Sequence, residues 1–308
     1  MNLRLYQYLF LERIRNNIIK FSQKLGFGRS YFIFQTKIAD NIQYKNIFYK
    51  INKFYNEIEI GNGCKIPLFS SVEIETINKC NLTCSFCPTN KNNDPRPFKL
   101  MDETLFKKII LELKELNYNG KIRLYSSNEP FLDKRIIDFL KFAKINLPNA
   151  EHALFTNGTV LTLEKFLASV DYLDRLIINN YNDNSKLIPT VKIIKEYIDN
   201  NPQYQSKVII RLRLVNQQLT SRGGNSKNVK PLKLKSSCYK PFEQIIIRPN
   251  GDLSLCCHDA LNKSVMGNIT ENKLINIWNN EKYKKIRSKL KQKKYARKNI
   301  VICSKCDA

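Results

Sequence analysis

Cys80-Asn81-Leu82-Thr83-Cys84-Ser85-Phe86-Cys87 places three thiols at spacings of four and three residues in one short loop. Cysteine thiolates are the usual ligands of 4Fe–4S clusters, and three of them hold three corners of a cubane while leaving the fourth iron open to a small molecule. The bland alternatives are a zinc site or buried structural thiols. Zinc in a structural site prefers four closed ligands, commonly two C-x2-C pairs or a mixed Cys/His set. No histidine lies near this loop.

Around the loop, strand and helix patterns alternate. Ser71–Ile77 reads as a β-strand that delivers the cysteines at its C-terminal end. Asp102 reads as the cap of a helix to about Leu116, stopped by Asn117–Gly120. Lys121–Tyr125 follows as strand, Asp133–Ile145 as helix, His152–Phe155 as strand and Leu163–Val170 as helix. Arg175–Ile178, Lys186–Asn200 and Lys207–Leu214 complete the series as strand, helix and strand. This alternation predicts right-handed βα units in a parallel sheet, and in barrels of this kind the loops after the strands build the active site.

The chain has 308 residues, 43% hydrophobic and 26% charged, enough for one sizeable core and a smaller module. Nine cysteines, an odd number gathered mainly in two groups, argue against a secreted disulfide framework. No apolar run approaches the roughly 20 residues that span a bilayer. A cytoplasmic, globular protein is the expectation. The formal net charge is +25, densest at residues 281–308, where 11 Lys/Arg face Glu281 and Asp307. No RNA-recognition motif or recognition-helix pattern accompanies it, so no specific nucleic-acid partner is expected.

Residues 1–65 form a basic, aromatic zone without recognisable chemistry. Leu5, Tyr8, Leu9, Glu12 and Ile14 lean toward a helical period, and Tyr31–Phe34 is a short apolar run. Packing on the main domain is one role; peripheral contact of a basic amphipathic helix with an anionic membrane is the other.

The C-x3-C-x2-C spacing, with Phe86 before the last cysteine and Pro88 after it, resembles the signature of the radical S-adenosylmethionine (SAM) enzymes. That resemblance implies a partial (β/α)6 barrel akin to the TIM fold, and a SAM-binding 4Fe–4S cluster on Cys80, Cys84 and Cys87. Ser126-Ser127-Asn128-Glu129-Pro130 stands where the family usually carries Gly-Gly-Glu-Pro, which holds the SAM amino group. Here Ser127 and Asn128 replace both glycines. Thr156-Asn157-Gly158-Thr159 matches a stretch found after the third strand, and Asn180 falls where a small polar residue often lies near the SAM carboxylate. Ser127, Asn128, Glu129, Thr156, Asn157 and Asn180 are therefore the expected SAM contacts.

A second group begins at Cys238. Gln244–Arg248 and Leu253–Cys256 flank Pro249-Asn250-Gly251-Asp252 and read as a β-hairpin. Gly267-Asn268-Ile269, a helix with Ile277-Trp278-Asn279, and Cys303-Ser304-Lys305-Cys306 follow. This order resembles the truncated SPASM or twitch module of some radical SAM enzymes, a small α+β unit. The resemblance implies an auxiliary 4Fe–4S cluster on Cys238, Cys256, Cys303 and Cys306. The terminal C-x2-C is equally good zinc chemistry, so a zinc ribbon stays open here. Cys257 reads as a spare buried thiol, an alternative ligand or a hydrogen-atom donor, and Cys64 as structural. The expected division is 1–65, 66–230 for the barrel and 231–308 for the module.

With all four auxiliary irons held by cysteine, that cluster's work is electron acceptance. The resemblance then implies dehydrogenation of a carbinol carbon in a sugar, nucleotide sugar or cyclitol, in the manner of dehydrogenases of the 2-deoxy-scyllo-inosamine type. Peptide or protein modification and sugar epimerisation are the runners-up. An electron donor such as flavodoxin or ferredoxin is implied. Thr220-Ser221-Arg222-Gly223-Gly224-Asn225 looks like an Asn-Arg-Ala-Gly stretch of related enzymes, making Arg222 the candidate hydroxyl-binding or proton-accepting residue.

Overall fold

The computed structural model describes residues 67–217, 219–229, 238–291 and 297–307. The residue 1–65 zone, with its helical period, the Tyr31–Phe34 run and Cys64, lies outside the described residues. Within them, eight strands form one sheet in the order β5-β4-β3-β2-β1-β6-β7-β8. The strands are β1 (Ser71–Ile74), β2 (Lys121–Arg123), β3 (Glu151–Thr156), β4 (Arg175–Tyr181), β5 (Val208–Arg213), β6 (Gln244–Ile247), β7 (Asp252–Ser254) and β8 (Val265–Asn268). From β5 to β6 every pairing is parallel, while β6, β7 and β8 pair antiparallel.

Helices α1 (Glu103–Glu115), α2 (Ile136–Asn146), α3 (Leu163–Val170) and α4 (Pro189–Asn200) connect the first five strands and pack side by side in chain order. Each sends one apolar stripe to the sheet, for example Phe106, Ile109, Ile110 and Leu113 of α1. β1 is buried along its whole length because it sits centrally, with parallel neighbours on both sides. None of the described helices is long and apolar enough to cross a membrane.

The C-terminal part adds α5 (Lys240–Glu243), α6 (Leu274–Trp278), α7 (Glu281–Lys291) and α8 (Val301–Ser304). Its hairpin does more than the local pattern indicates. β6 is the sixth parallel strand, in register with β1 from Ser71↔Gln244 to Ile74↔Ile247. The auxiliary segment thereby continues the sheet that carries the cysteine loop.

Local boundaries differ from expectation for identifiable reasons. β1 ends at Ile74, and Ile77 instead makes an isolated antiparallel bridge to Leu100. Asp102 occupies the cap position of α1 without a side-chain capping bond. The helix expected from Asp133 starts at Ile136, after a 3-10 turn over Pro130–Leu132, and the Asp133 carboxylate accepts from the Arg135 N–H at 3.0 Å and from the Arg135 side chain at 2.9 Å.

A buried charge network fastens the seam. Glu75, fully buried just after β1, accepts from Arg96 at 2.9 Å and from Arg248 at 3.0 Å. Arg248 also donates to Ser254 Oγ and to the Asp259 carbonyl, both at 2.7 Å. One carboxylate therefore ties β1, the far side of the cysteine loop, β6 and the turn after Cys256. A buried ion pair persists only when its remaining donors are satisfied, as they are here.

Candidate active site

At the C-terminal ends of β1 to β4 lies a cleft of about 820 Å³, counted with its open mouth. Cys80, Cys84 and Cys87 line one side, Ser126–Glu129, Thr156 and Asn157 another, and Tyr125, Phe155, Asn179, Tyr181 and Arg222 the remainder. The cysteine loop is zipped to the turn after β3. Asn157 Nδ2 donates to Asn81 Oδ1 at 2.9 Å and approaches Cys80 Sγ at 3.9 Å, and Asn81 Nδ2 donates to Thr159 Oγ1 at 2.7 Å. Thr89 extends the link, lying 3.3 Å from Cys87 Sγ and donating to the Ser127 carbonyl at 2.9 Å. Burial pushes the Cys80 thiol up to about 11 and the Cys84 thiol up to about 12, so without a metal both stay protonated at neutral pH.

Gly158 makes the turn after β3 possible. It sits at φ +78°, and a Cβ there would lie 2.5 Å from Val191 Cγ2. The turn aims the Asn157 N–H at Glu129 Oε2, 2.7 Å away, while Thr156 Oγ1 donates to Glu129 Oε1 at 2.7 Å and the Phe131 N–H to the same oxygen at 3.2 Å. Glu129 is 1% exposed, and among the described residues no cation lies within ion-pair distance of it. Burial raises it to about 7 against the opposing effect of its three donors. A buried carboxylate with a satisfied frame and no counter-ion fits a guest ammonium.

Ser127 and Asn128 fit without the glycines they replace, because neither adopts a positive φ. Ser127 offers its carbonyl to Thr89, and Asn128 Oδ1 accepts from the Ser126 N–H at 2.9 Å. Asn128 Nδ2 and Asn179 Oδ1 are buried polar atoms with no partner in a structure that carries no ligand, and both residues line the cleft. Such orphans are explained when a ligand supplies the missing bonds.

Asn180 does not join this group. It is fully buried, its Nδ2 donates to the Lys186 carbonyl at 2.9 Å, and its Oδ1 accepts from the Ile188 N–H at 2.8 Å. Side chains alternate along a strand, so Asn179 and Tyr181 face the cleft while Asn180 faces the helices. Asn180, expected beside SAM, thus lies off the cleft wall, and its neighbour Asn179 lines it.

The second cysteine group forms a separate cavity of about 310 Å³, lined by Cys238, Cys256, Cys303 and Cys306 with Lys240, His258 and Arg297. Burial raises the Cys303 thiol to about 12 and holds Cys256 well above the ordinary thiol range. Among the described residues no three His, Cys, Asp or Glu side chains gather tightly enough for a single metal ion. A cubane binds each thiolate to a different iron, and three cysteines at the cleft and four at the second cavity are donor sets that such clusters take.

Arg222 stands between the two groups. Its backbone is held at φ 50°, a left-handed conformation that costs a non-glycine residue about 1 kcal/mol or more. The terminal segment fixes it there. Ser221 Oγ donates to the Lys305 carbonyl at 2.8 Å, the Ser221 N–H donates to Asp307 Oδ1 at 2.7 Å, and a Cβ on Gly223 would meet Ile302 at 2.5 Å. Cys257, next to Cys256, is not among the residues lining the four-cysteine cavity. Its N–H donates to Gln244 Oε1 at 3.3 Å, and its thiol lies within electrostatic reach of Lys240, Glu73 and Arg222. Sequence reasoning missed Arg211, which lies 5.9 Å from the centroid of Phe155. Its signal was a pair of arginines at alternate positions, Arg211 and Arg213, in an otherwise apolar parallel strand.

Residues 74–185 match the radical SAM superfamily, and residues 238–307 match SPASM, an iron–sulfur cluster-binding domain. The chain is similar to the S-adenosyl-L-methionine-dependent 2-deoxy-scyllo-inosamine dehydrogenase of Niallia circulans, 28% identical over 243 residues, covering 78% of this chain and 93% of that protein. Among solved structures, BtrN in complex with AdoMet and 2-DOIA superposes with a TM-score of 0.68 at 26% identity, covering 79% of this chain and 95% of that one. An open conformation of BtrN gives 0.59 at 24% identity, over 79% of this chain and 94% of that one.

Proposed function

We propose that this radical SAM enzyme with a C-terminal SPASM domain, an oxidoreductase whose cofactors are SAM and two 4Fe–4S clusters, dehydrogenates a carbinol carbon of a sugar, nucleotide sugar or cyclitol. When bound, SAM with its cluster supplies a 5′-deoxyadenosyl radical that takes a hydrogen atom, and the auxiliary cluster supplies an electron acceptor. Residues 66–230 would hold the former and 231–308 the latter.

The residues divide the work. Cys80, Cys84 and Cys87 hold the SAM-binding cluster, leaving one position for the ligand. Glu129, framed by Thr156, Asn157 and Phe131, receives the SAM ammonium. Ser127, Asn128 and Asn179 present further polar contacts in the same wall. Cys238, Cys256, Cys303 and Cys306 hold the auxiliary cluster. Arg222 donates to the substrate hydroxyl; a guanidinium stays charged, so it orients oxygen rather than removing a proton.

The observation that carries this reading is the position of Arg222, which lines the SAM-side cleft while the segment bearing Cys303 and Cys306 holds its loop. A substrate touching Arg222 lies between a radical source and an electron sink. The test is anaerobic turnover of candidate polyols labelled with deuterium at the carbinol carbon. Deuterium should pass into 5′-deoxyadenosine, with a carbonyl product in equal amount.

A second reading, epimerisation, is favoured by the nearness of the Cys257 thiol to Arg222. It requires solvent deuterium in the product carbon and loss of turnover in Cys257→Ala. Dehydrogenation requires neither.

A further inference from the structure

Arg222, which lines the cleft, and Arg211, which sits over the cleft-lining Phe155, lack an acidic partner. Arg211 stands at the fourth position of β5, opposite Asn179 of β4 in parallel register, so both side chains leave the same face of the sheet. Asn179 lines the cleft, as does Phe155, over whose ring Arg211 sits. Arg222 lines the cleft from the auxiliary side. Both arginines are half-buried, and among the described residues neither side chain has an ion pair or a hydrogen bond.

Three other arginines around the sheet have carboxylate partners. Arg123 lies 3.6 Å from Glu73, and Arg96 and Arg248 share Glu75. The one carboxylate among the described lining residues is Glu129, on the wall formed with Thr156 and Asn157 and assigned above to an ammonium. Half-buried guanidinium groups without carboxylates lose hydration that a bidentate phosphate restores. Between them stand Tyr125 and Phe155, ring centroids 4.6 Å apart, an apolar wall for the C–H face of a sugar or cyclitol ring. The unpartnered Asn179 Oδ1 offers an acceptor for a ring hydroxyl.

Resting on the dehydrogenase reading of this cleft, we infer that the substrate is a phosphate ester of a polyol, its anionic group seated by Arg211 and its ring against Tyr125 and Phe155, while Arg222 keeps the carbinol hydroxyl. The ester is either a simple sugar or cyclitol phosphate or a nucleoside diphosphate sugar. The surface charge of the chain does not enter, because Arg222 lines the cleft and Arg211 sits over Phe155, a ring that lines it.

Calorimetric titration of the cluster-loaded, SAM-bound enzyme under anaerobic conditions tests it, with myo-inositol 1-phosphate and UDP-glucose as probes and myo-inositol and glucose as their uncharged counterparts. At least one phosphorylated probe should bind about tenfold or more tightly than its counterpart, the scale of a charge-assisted pair. Preference for one probe over the other identifies the source of the phosphate. In Arg211→Gln that advantage should collapse toward unity, and in Arg211→Lys it should return in part; iron content per chain reports that each variant is folded. Uncharged probes binding equally well, an advantage that survives Arg211→Gln, or no binding by any probe overturns the assignment. Formation of 5′-deoxyadenosine separates the two levels: an enzyme that cleaves SAM but ignores phosphate loses only the charge assignment, and one that cannot cleave SAM loses both.

Discussion

Glu129 concentrates the electrostatics of the cleft in one side chain. Its carboxyl is raised from 4.5 to about 7, chiefly by burial, so the folded chain keeps a proton that the unfolded chain has released. This group therefore costs nothing below pH 4.5 and destabilises the fold increasingly as pH rises through 7, by about 3 kcal/mol at most. In cluster-free protein, Glu129→Gln should flatten the fall of Tm across that range; an equally steep profile in the variant contradicts the assignment. An ammonium beside the carboxylate reverses the balance, so SAM binding should tighten as pH rises through about 7. Glu129→Gln should weaken it by about tenfold or more, read by calorimetry on reconstituted enzyme. That Glu129, Cys80, Cys84 and Cys87 would line one cleft was legible in the sequence, because spacing and residue type suffice for it. The face of β4 was not: its end carries Asn179 and Asn180 together, and only the strand's alternation decides which faces the cleft.

At the scale of elements, the cysteine loop is held by the turn after β3 and by the Glu75 network behind it. Gly158→Ala forces a side chain into the left-handed region and against Val191, so a loss of about 1–3 kcal/mol is expected in urea denaturation. Glu75→Leu removes the shared acceptor of Arg96 and Arg248, and a loss of about 3–5 kcal/mol is expected from stranding Arg248, while Arg96 keeps Asp94. A loss below about 1 kcal/mol would show that water reaches the pair. The alternation of β1 to β5 with α1 to α4 was readable from period and length. The place of β6 was not: Gln244–Ile247 announces a hairpin with β7, yet nothing local says that its other edge pairs with β1, some 170 residues earlier. Arg211 escaped for a related reason, since a charge inside a strand acquires meaning only from the residues across the cleft.

Across the whole molecule, one sheet carries both cysteine groups, with the cleft on one side of Arg222 and the four-cysteine cavity on the other. The +25 charge, which comes with no nucleic-acid recognition motif in the sequence, says little about this interior. Cys303→Ala, measured by iron analysis and electron paramagnetic resonance, should lower iron from about eight to about four per chain while leaving the SAM-bound cluster signal in place. Loss of both signals would mean that the two groups do not bind clusters independently. The most direct measurement is anaerobic reconstitution with iron, sulfide, SAM and dithionite, reading metal content and 5′-deoxyadenosine in the same sample. The expected result is about eight irons per chain and continuous release of 5′-deoxyadenosine; zinc in place of iron at Cys80, Cys84 and Cys87, or clusters that leave SAM intact, would contradict it.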